Sequence, residues 1–357
     1  MDLESIKTIQ RELSDIIGVS GYEKPVVDYI IPHIEDHVDK FWVDRLGSLL
    51  AIKNGNSTSD IPEKIMLDAH TDEIGFMISH IEKRGFLRFV AIGGWDTRIL
   101  PGQAVKVLGD NSKSYDGIIG SKPPHLTTEA ERKKAIEIKD MYIDLGMNEE
   151  ELQKVGISIG AIGTLYDPFV DLGNGMIRGK SFDDRTGVNI LIHIIQEFSQ
   201  LSHDSSLMFS FSTQEEVGGR GAATATAQLN PTIALALENT TAGDVPGISD
   251  AQCPAYIGKG PAITVADRTI LAHPMVNQRL IENAKLEGIP YHIKKPIFGG
   301  TNAGRIHQIG EGVPSSVVSV PCRYIHSPTS LLALNDIQQS IRLVSAFIRN
   351  PAGIKNY

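Results

Sequence analysis

Apolar residues recur at helical spacing from the start of the chain, where Leu3, Ile6, Ile9, Leu13, Ile16 and Ile17 predict an amphipathic helix. A second helix is expected to follow from Ser20-Gly21-Tyr22-Glu23, in which Ser20 and Glu23 have capping-box spacing. FWVD, SLLAIK and KIMLDAH then read as strands. From about Asp72 to Tyr166 the pattern changes to short apolar runs, IGFMISHI, FLRFVAIGG, AVKVLG and YDGIIG, punctuated by glycines and by Pro101, Pro123 and Pro124. That text predicts a β-rich insert, interrupted by one helical piece from Glu149 to Lys154 behind an Asn148 cap. From Gly179 onward a helix after Asp183, the strands LMFSFST and TIALALE, AITV, a helix through MVNQRLIENAKLEG, YHIKK, VPSSVVSV and a last helix near DIQQSIRLVSAFI alternate. Such alternation implies an α/β fold, with a mixed or mostly parallel sheet covered by helices on both faces. The chain therefore divides into a discontinuous unit, residues 1–72 and 166–357, and the insert, residues 73–165.

Length supports this division, because 357 residues suffice for a main domain and a smaller one. The formal net charge of −9 argues against nucleic-acid binding, which needs a basic surface. The amphipathic, partly acidic N-terminus is unlike a secretory signal, and no stretch approaches a membrane span. Cys253 and Cys322 are too few and too far apart to suggest a disulfide framework, so a cytoplasmic location is expected.

Candidate chemistry lies in five islands: His70-Thr71-Asp72, Asp183-Asp184-Arg185, Glu215-Glu216, Glu238 and His326. Each has a bland reading when taken alone. His70 could be a surface histidine, Asp183-Asp184 with Arg185 a helix cap and ion pair, Glu215-Glu216 a solvated loop, Glu238 a carboxylate capping the sheet, and His326 a turn residue beside Pro328. Together they offer what two adjacent divalent cations need: one histidine each, a carboxylate between them and carboxylates at the flanks. His70 ends one predicted strand, Glu215 and Glu216 follow a second, Glu238 ends a third and His326 lies beyond a fourth. Open α/β sheets place functional groups at such strand ends, so a shared crevice is expected.

The segments LDAHTDEIGFM, GKSFDDRTG, STQEEVGGRGA, ALENTTAGDVPG, GGTNAG and PCRYIHSP, in this order, closely resemble the cytoplasmic dinuclear metallo-aminopeptidases. That family includes glutamyl aminopeptidases, tetrahedral dodecameric aminopeptidases and relatives labelled endoglucanases. The resemblance implies an α/β catalytic domain with an inserted β-barrel-like dimerisation domain, peptide substrates, and a homo-oligomer that can reach a dodecamer built from dimers. It implies two divalent ions per subunit, zinc or cobalt, with manganese as an alternative. One ion would be held by His70, Asp183 and Glu238, the other by Asp183, Glu216 and His326, with Glu215 as general base and Asp72 orienting His70. Two positions depart from the commonest wording of the family. Glu238 stands where many members have Asp, leaving Asp244 as a fallback ligand, and Asn302 stands where Asp is typical, which removes a charge near the crevice. A related two-metal deacylase or amidohydrolase would use similar ligands. An inactive scaffold is a further alternative, though all the expected positions are ionisable; a glycosidase would use a carboxylate pair without metal.

Overall fold

The computed structural model describes residues 2–57, 63–110, 113–295 and 299–351, with only the backbone of Pro124. An eight-stranded mixed sheet runs in the order Lys40–Val43, Leu49–Lys53, Ser206–Ser212, Lys64–His70, Ile233–Thr241, Ser315–Cys322, Ala262–Thr264, His292–Lys294. Its four central strands, from Ser206–Ser212 to Ser315–Cys322, are mutually parallel, as expected for βαβ text. Antiparallel pairs flank them on both sides.

The period-two alternation of strand side chains gives the sheet two different faces. Ile65, Leu67 and Ala69, with Leu207, Phe209, Phe211, Ile233, Leu235 and Leu237, enter one apolar core. The helices Leu3–Asp15, Lys24–Ile34, Phe182–Phe198, Pro274–Leu286 and Leu334–Arg349 all contribute to it. On the opposite face Met66, Met208 and Ala234 meet Ala222, Ala225 and Leu229 of the helix Arg220–Leu229, and Ile306. Two and four residues further along the same face, the strands carry Asp68 and His70, Ser210 and Ser212, and Ala236 and Glu238, all buried. One face is thus apolar throughout, while the other turns polar toward the strand ends.

Residues 75–165 contain a closed six-stranded barrel in the order Gly75–Ile81, Leu87–Ile92, Tyr142–Asp144, Ser114–Gly120, Ala104–Leu108, Ile162–Leu165, with every pair antiparallel. Closure leaves no unpaired sheet edge. Phe76, Ile78, Phe89, Val105, Val107 and Ile143 fill its interior. The helix Glu149–Lys154 begins at the expected Asn148, forms a capping box with Glu151 and buries Leu152 in that interior. Where the chain enters and leaves the barrel, Glu73 accepts hydrogen bonds from Lys180 (2.9 Å), Gly18 N–H (2.9 Å), Thr164 (3.0 Å) and Ser181. Among the described residues no helix is long and apolar enough to cross a membrane.

Two expectations need correction, and one helix lies outside them. The second helix spans Lys24–Ile34 and has no side-chain cap, because Ser20 and Glu23 are committed elsewhere. Glu238 does not end its strand, which continues to Thr241. The sequence reading has no helix at Arg220–Leu229, whose buried positions are mostly small, Gly221, Ala222, Ala225 and Thr226, with Leu229 as the one large apolar residue.

Candidate metal centre

His70 is the last residue of its strand, and Ser212 lies opposite it on the neighbouring strand. On the other side Ala236 lies opposite Asp68, which brings Glu238, two residues on, beside His70. His70 Nε2 is 3.8 Å from Glu238 Oε2, 3.4 Å from Asp183 Oδ1 and 4.0 Å from Glu215 Oε2. His326 Nε2 is 3.3 Å from both Asp183 Oδ2 and Glu216 Oε1. The two oxygens of Asp183 therefore face two different histidines.

Asp72 organises this arrangement from below. Its Oδ1 accepts from Glu215 N–H at 2.9 Å, and its Oδ2 accepts from Glu216 N–H at 3.1 Å and from Ser20 Oγ at 2.6 Å. His70 Nδ1 lies 3.1 Å from the Asp72 carbonyl oxygen and 3.4 Å from Oδ1, so the same residue also steers the ring. Glu23 accepts from the N–H groups of Gly21 (2.8 Å) and Gln214 (3.0 Å) and so holds the start of the Glu215-Glu216 loop. Ser181, Gln214 and His326 have left-handed backbones (φ 56°, 57° and 56°), and each adjoins or belongs to the site. Non-glycine residues there cost on the order of 1–3 kcal/mol each.

The carboxylates repel one another in a largely buried setting. Burial, reinforced by Glu216, Asp72 and Asp183, pushes Glu215 up to about 8. Burial also raises Glu216, and it lifts Glu238 well above the ordinary carboxylate value, with its neighbours Asp184, Glu215 and Asp183 adding to the shift. Burial opposes a charged His326, but Asp183 and Glu216 overcome it and push the ring up to about 11. Asp183 is held well below the usual carboxylate range, since the two histidines outweigh its desolvation. Concentrated negative charge of this kind calls for a cationic partner.

The donors also fit one by distance. Ligand atoms about 2.0–2.1 Å from a tetrahedral cation lie about 3.3 Å apart, longer than a charge-assisted hydrogen bond of about 2.7–2.9 Å. The separations of 3.4 and 3.3 Å from Asp183 to His70 and His326, and of 3.3 Å from His326 to Glu216, match the former, and the 3.8 Å between His70 and Glu238 lies within reach of small side-chain adjustments. Two groupings of donor atoms, His70–Asp183–Glu238 and Asp183–Glu216–His326, could each hold an ion, and a third joins His70 with Glu215 and Glu216. All five expected ligand residues and Glu215 line one cleft of about 830 Å³.

Asp244 is not brought to this cluster: both its oxygens pair with Arg323, at 2.8 and 2.7 Å. Asn302 is fully buried, donating its amide to Asp68 (2.8 Å) and Ser212 (2.9 Å) while its N–H donates to Glu238 (2.9 Å). An Asp there would confront Asp68, so the amide suits its own neighbour more than it alters the crevice. Arg185 forms no hydrogen bond to either preceding aspartate; buried, it donates to the carbonyls of Thr71 (2.9 Å), Leu13 (2.6 Å) and Ile16 (3.1 Å), tying the N-terminal helix to the His70 strand end. Sequence reasoning missed Arg185, Glu23 and Ser20 as supports, because the partners that matter, the carbonyls of Thr71, Leu13 and Ile16, Gln214 N–H and the Asp72 carboxylate, lie far from them in sequence. The barrel reaches the centre at Gly94, where a Cβ would lie 3.4 Å from His326 Nδ1.

Residues 47–343 match the family model described as M42 glutamyl aminopeptidase. The chain belongs to the M42 peptidase family. It is accordingly a peptidase hydrolase, of a metal-dependent kind. A putative aminopeptidase of Acetivibrio thermocellus is 36% identical over 96% of this chain and 98% of its own length. The lysyl aminopeptidase of Pyrococcus furiosus is 31% identical, covering 95% and 96%, and the glutamyl aminopeptidase of Lactococcus lactis is 29% identical, covering 97% and 98%. Among solved structures, an aminopeptidase from the archaeon Desulfurococcus kamchatkensis superimposes with a TM-score of 0.92 at 36% identity, covering 98% of this chain and 95% of that one. A Thermotoga maritima structure named as an endoglucanase gives 0.78 at 35% identity, covering 96% and 97%. The Pyrococcus horikoshii TET1 peptidase, which can assemble into a tetrahedron or a large octahedral shell, gives 0.86 at 30% identity, covering 97% and 99%.

Proposed function

We propose that this M42 peptidase is an aminopeptidase that holds two divalent cations, one through His70, Asp183 and Glu238 and the other through Asp183, Glu216 and His326, with Glu215 as general base. The observation that carries the reading is the position of Asp183, whose two oxygens face different histidines within a set spaced like a coordination shell. Nitrogen and carboxylate donors without thiolates suit zinc or cobalt, with manganese as a further candidate. Bound there, a cation pair supplies Lewis acidity, making water more acidic and a scissile carbonyl more electrophilic.

The chain's own residues divide the remaining work. Glu215 lies beside His70 outside the two ligand groupings, and its raised proton affinity suits it to take a proton from water and return it to the leaving amine. Asp72 fixes Glu215 and Glu216 through their N–H groups, so base and ligand keep separate directions although adjacent in sequence. Neither cysteine enters the cleft, so no covalent intermediate is invoked. Buried, unpaired Cys253 and Cys322 suit a reducing cytoplasm. The barrel is assigned to assembly of a homo-oligomer built from dimers, since none of the proposed ligands lies in it.

The test is hydrolysis of aminoacyl p-nitroanilides by metal-stripped protein given back Zn²⁺, Co²⁺ or Mn²⁺, beside N-acetylated counterparts. Cleavage that needs both metal and a free α-amino group is expected. Cleavage of N-acyl amino acids with no action on the anilides would instead favour the deacylase, and chelator-resistant cleavage of a glucan would favour a glycosidase.

A further inference from the structure

Membership of the family leaves the favoured N-terminal residue open, since relatives of nearly equal identity are a lysyl and a glutamyl aminopeptidase. The cleft itself carries a feature that bears on it. Lys294 lies at the end of the short strand His292–Lys294, on the wall shared with His70, Asp183 and Glu238. Only 5% of it is exposed, yet among the described residues its ammonium has no hydrogen-bond or ion-pair partner. The carboxylates that act on it from a distance are otherwise engaged. Asp267 accepts from Thr269, Ile270 and Thr301, while Glu238 and Asp183 belong to the proposed cation sites. The buried stem holds an unengaged ammonium at the cleft wall, and its neighbour in the cleft, Arg268, is likewise without a side-chain partner among the described residues. A site that leaves a buried polar group unpaired discriminates strongly in favour of a substrate that completes the pair.

We infer that Lys294 is the specificity-determining residue of the cleft and receives the side-chain carboxylate of an acidic N-terminal residue, glutamyl or aspartyl. The inference rests on the aminopeptidase reading above. The ammonium acts as a point charge for the carboxylate, while the cation sites and Glu215 handle the scissile bond. Arg268, more exposed at the same cleft, adds attraction for an anionic side chain.

The test uses metal-loaded, full-length protein and the p-nitroanilides of Glu, Asp, Leu and Lys, which lack a C-terminal carboxylate and so isolate the side chain. The unmodified protein is expected to prefer glutamyl and aspartyl over leucyl and lysyl substrates in kcat/KM. Lys294→Gln is expected to lower the glutamyl-to-leucyl ratio by at least about 10-fold, Lys294→Arg to keep more of it, and Lys294→Glu to shift the ratio toward the lysyl substrate. Calorimetric binding of free L-glutamate against L-leucine gives a second readout without turnover, and glutamate should lose its advantage in Lys294→Gln. A preference of the unmodified protein for leucyl or lysyl substrates overturns the assignment. So does a Lys294→Gln variant that loses all substrates in equal proportion, which would make Lys294 a counter-charge for the carboxylate cluster. Absence of cleavage of every aminoacyl anilide, with metal bound, would overturn the aminopeptidase reading and this inference with it.

Discussion

The crevice at the sheet's strand ends and the six-stranded barrel solve opposite problems with the same chain. In the crevice, Asp68, His70, Asp72, Asp184 and Glu238 are buried side by side, and the backbone is bent into left-handed conformations at Ser181, Gln214 and His326. In the barrel, Phe76, Ile78, Phe89, Val105 and Ile143 fill an apolar interior, and Val90 and Ile118 stand half exposed on its outside. The barrel gains stability from its interior. The crevice gives some up, holding charges that repel one another until a cation arrives.

The strongest way to break this comparison is Asp183→Ala, because Asp183 alone belongs to both proposed cation groupings. Metal content should fall toward zero and turnover by on the order of 10³-fold or more, a loss of several kcal/mol of transition-state stabilisation. Elemental analysis beside kinetics decides it, and a variant that keeps two ions removes Asp183 from the bridging position. Glu238→Ala is expected to be narrower, lowering the occupancy of one site while the site with Glu216 and His326 persists, and Glu238→Asp milder still. Asp244→Ala serves as the control. It should leave both ions in place, since Asp244 is engaged by Arg323.

The barrel should respond differently. Phe89→Ala is expected to cost about 3–5 kcal/mol of stability, read as a lowered Tm, with little change in kcat per folded molecule. Val90→Asp with Ile118→Asp is expected to reduce the particle mass in light scattering while cleavage of a short chromogenic substrate changes less than about threefold. Loss of activity with assembly intact would bring the barrel into the chemistry, for which the approach of Gly94 to His326, close enough that a Cβ would lie 3.4 Å from Nδ1, offers a route.

A smaller effect follows from the raised carboxylates. Glu215 moves from its ordinary value of 4.5 to about 8 in the folded, metal-free protein, and Glu216 and Glu238 move the same way. Groups raised on folding contribute stability that is present below the unfolded value and lost as pH rises through the folded one. The Tm of metal-free protein should therefore decline between about pH 5 and pH 8. Added Zn²⁺ should restore more at pH 8 than at pH 5, because cations compete with these protons. A metal-induced rise in Tm that is larger at pH 5 contradicts the electrostatic account.

Much of both regions was legible in the sequence, for different reasons. Strand period and glycine spacing revealed the barrel text, and the Asn148 cap marked its helix to the residue. The islands at His70, Glu215-Glu216, Glu238 and His326 stood out because ionisable residues lay at or beyond apolar strands, and Asp183 because it precedes an apolar helix. What remained hidden depends on contacts between distant segments. Ser20 and Glu23 have the spacing of a cap but turn to Asp72 and to Gln214 N–H, and no local pattern could reveal that. Asn302 read as a lost charge, whereas its partner Asp68 makes an amide the better neighbour. Lys294 ends a three-residue strand of unremarkable sequence, and only its burial without a partner sets it apart.

The division of labour between adjacent carboxylates is the centre of the account, and metal stoichiometry of Glu215→Gln and Glu216→Gln measured beside turnover tests it most directly. Glu215→Gln should retain close to two ions per chain while losing at least about 10²-fold in kcat, and Glu216→Gln should lose an ion. If Glu215→Gln loses an ion and excess cation restores its activity, while Glu216→Gln keeps both, the base and the ligand have been assigned in the wrong order.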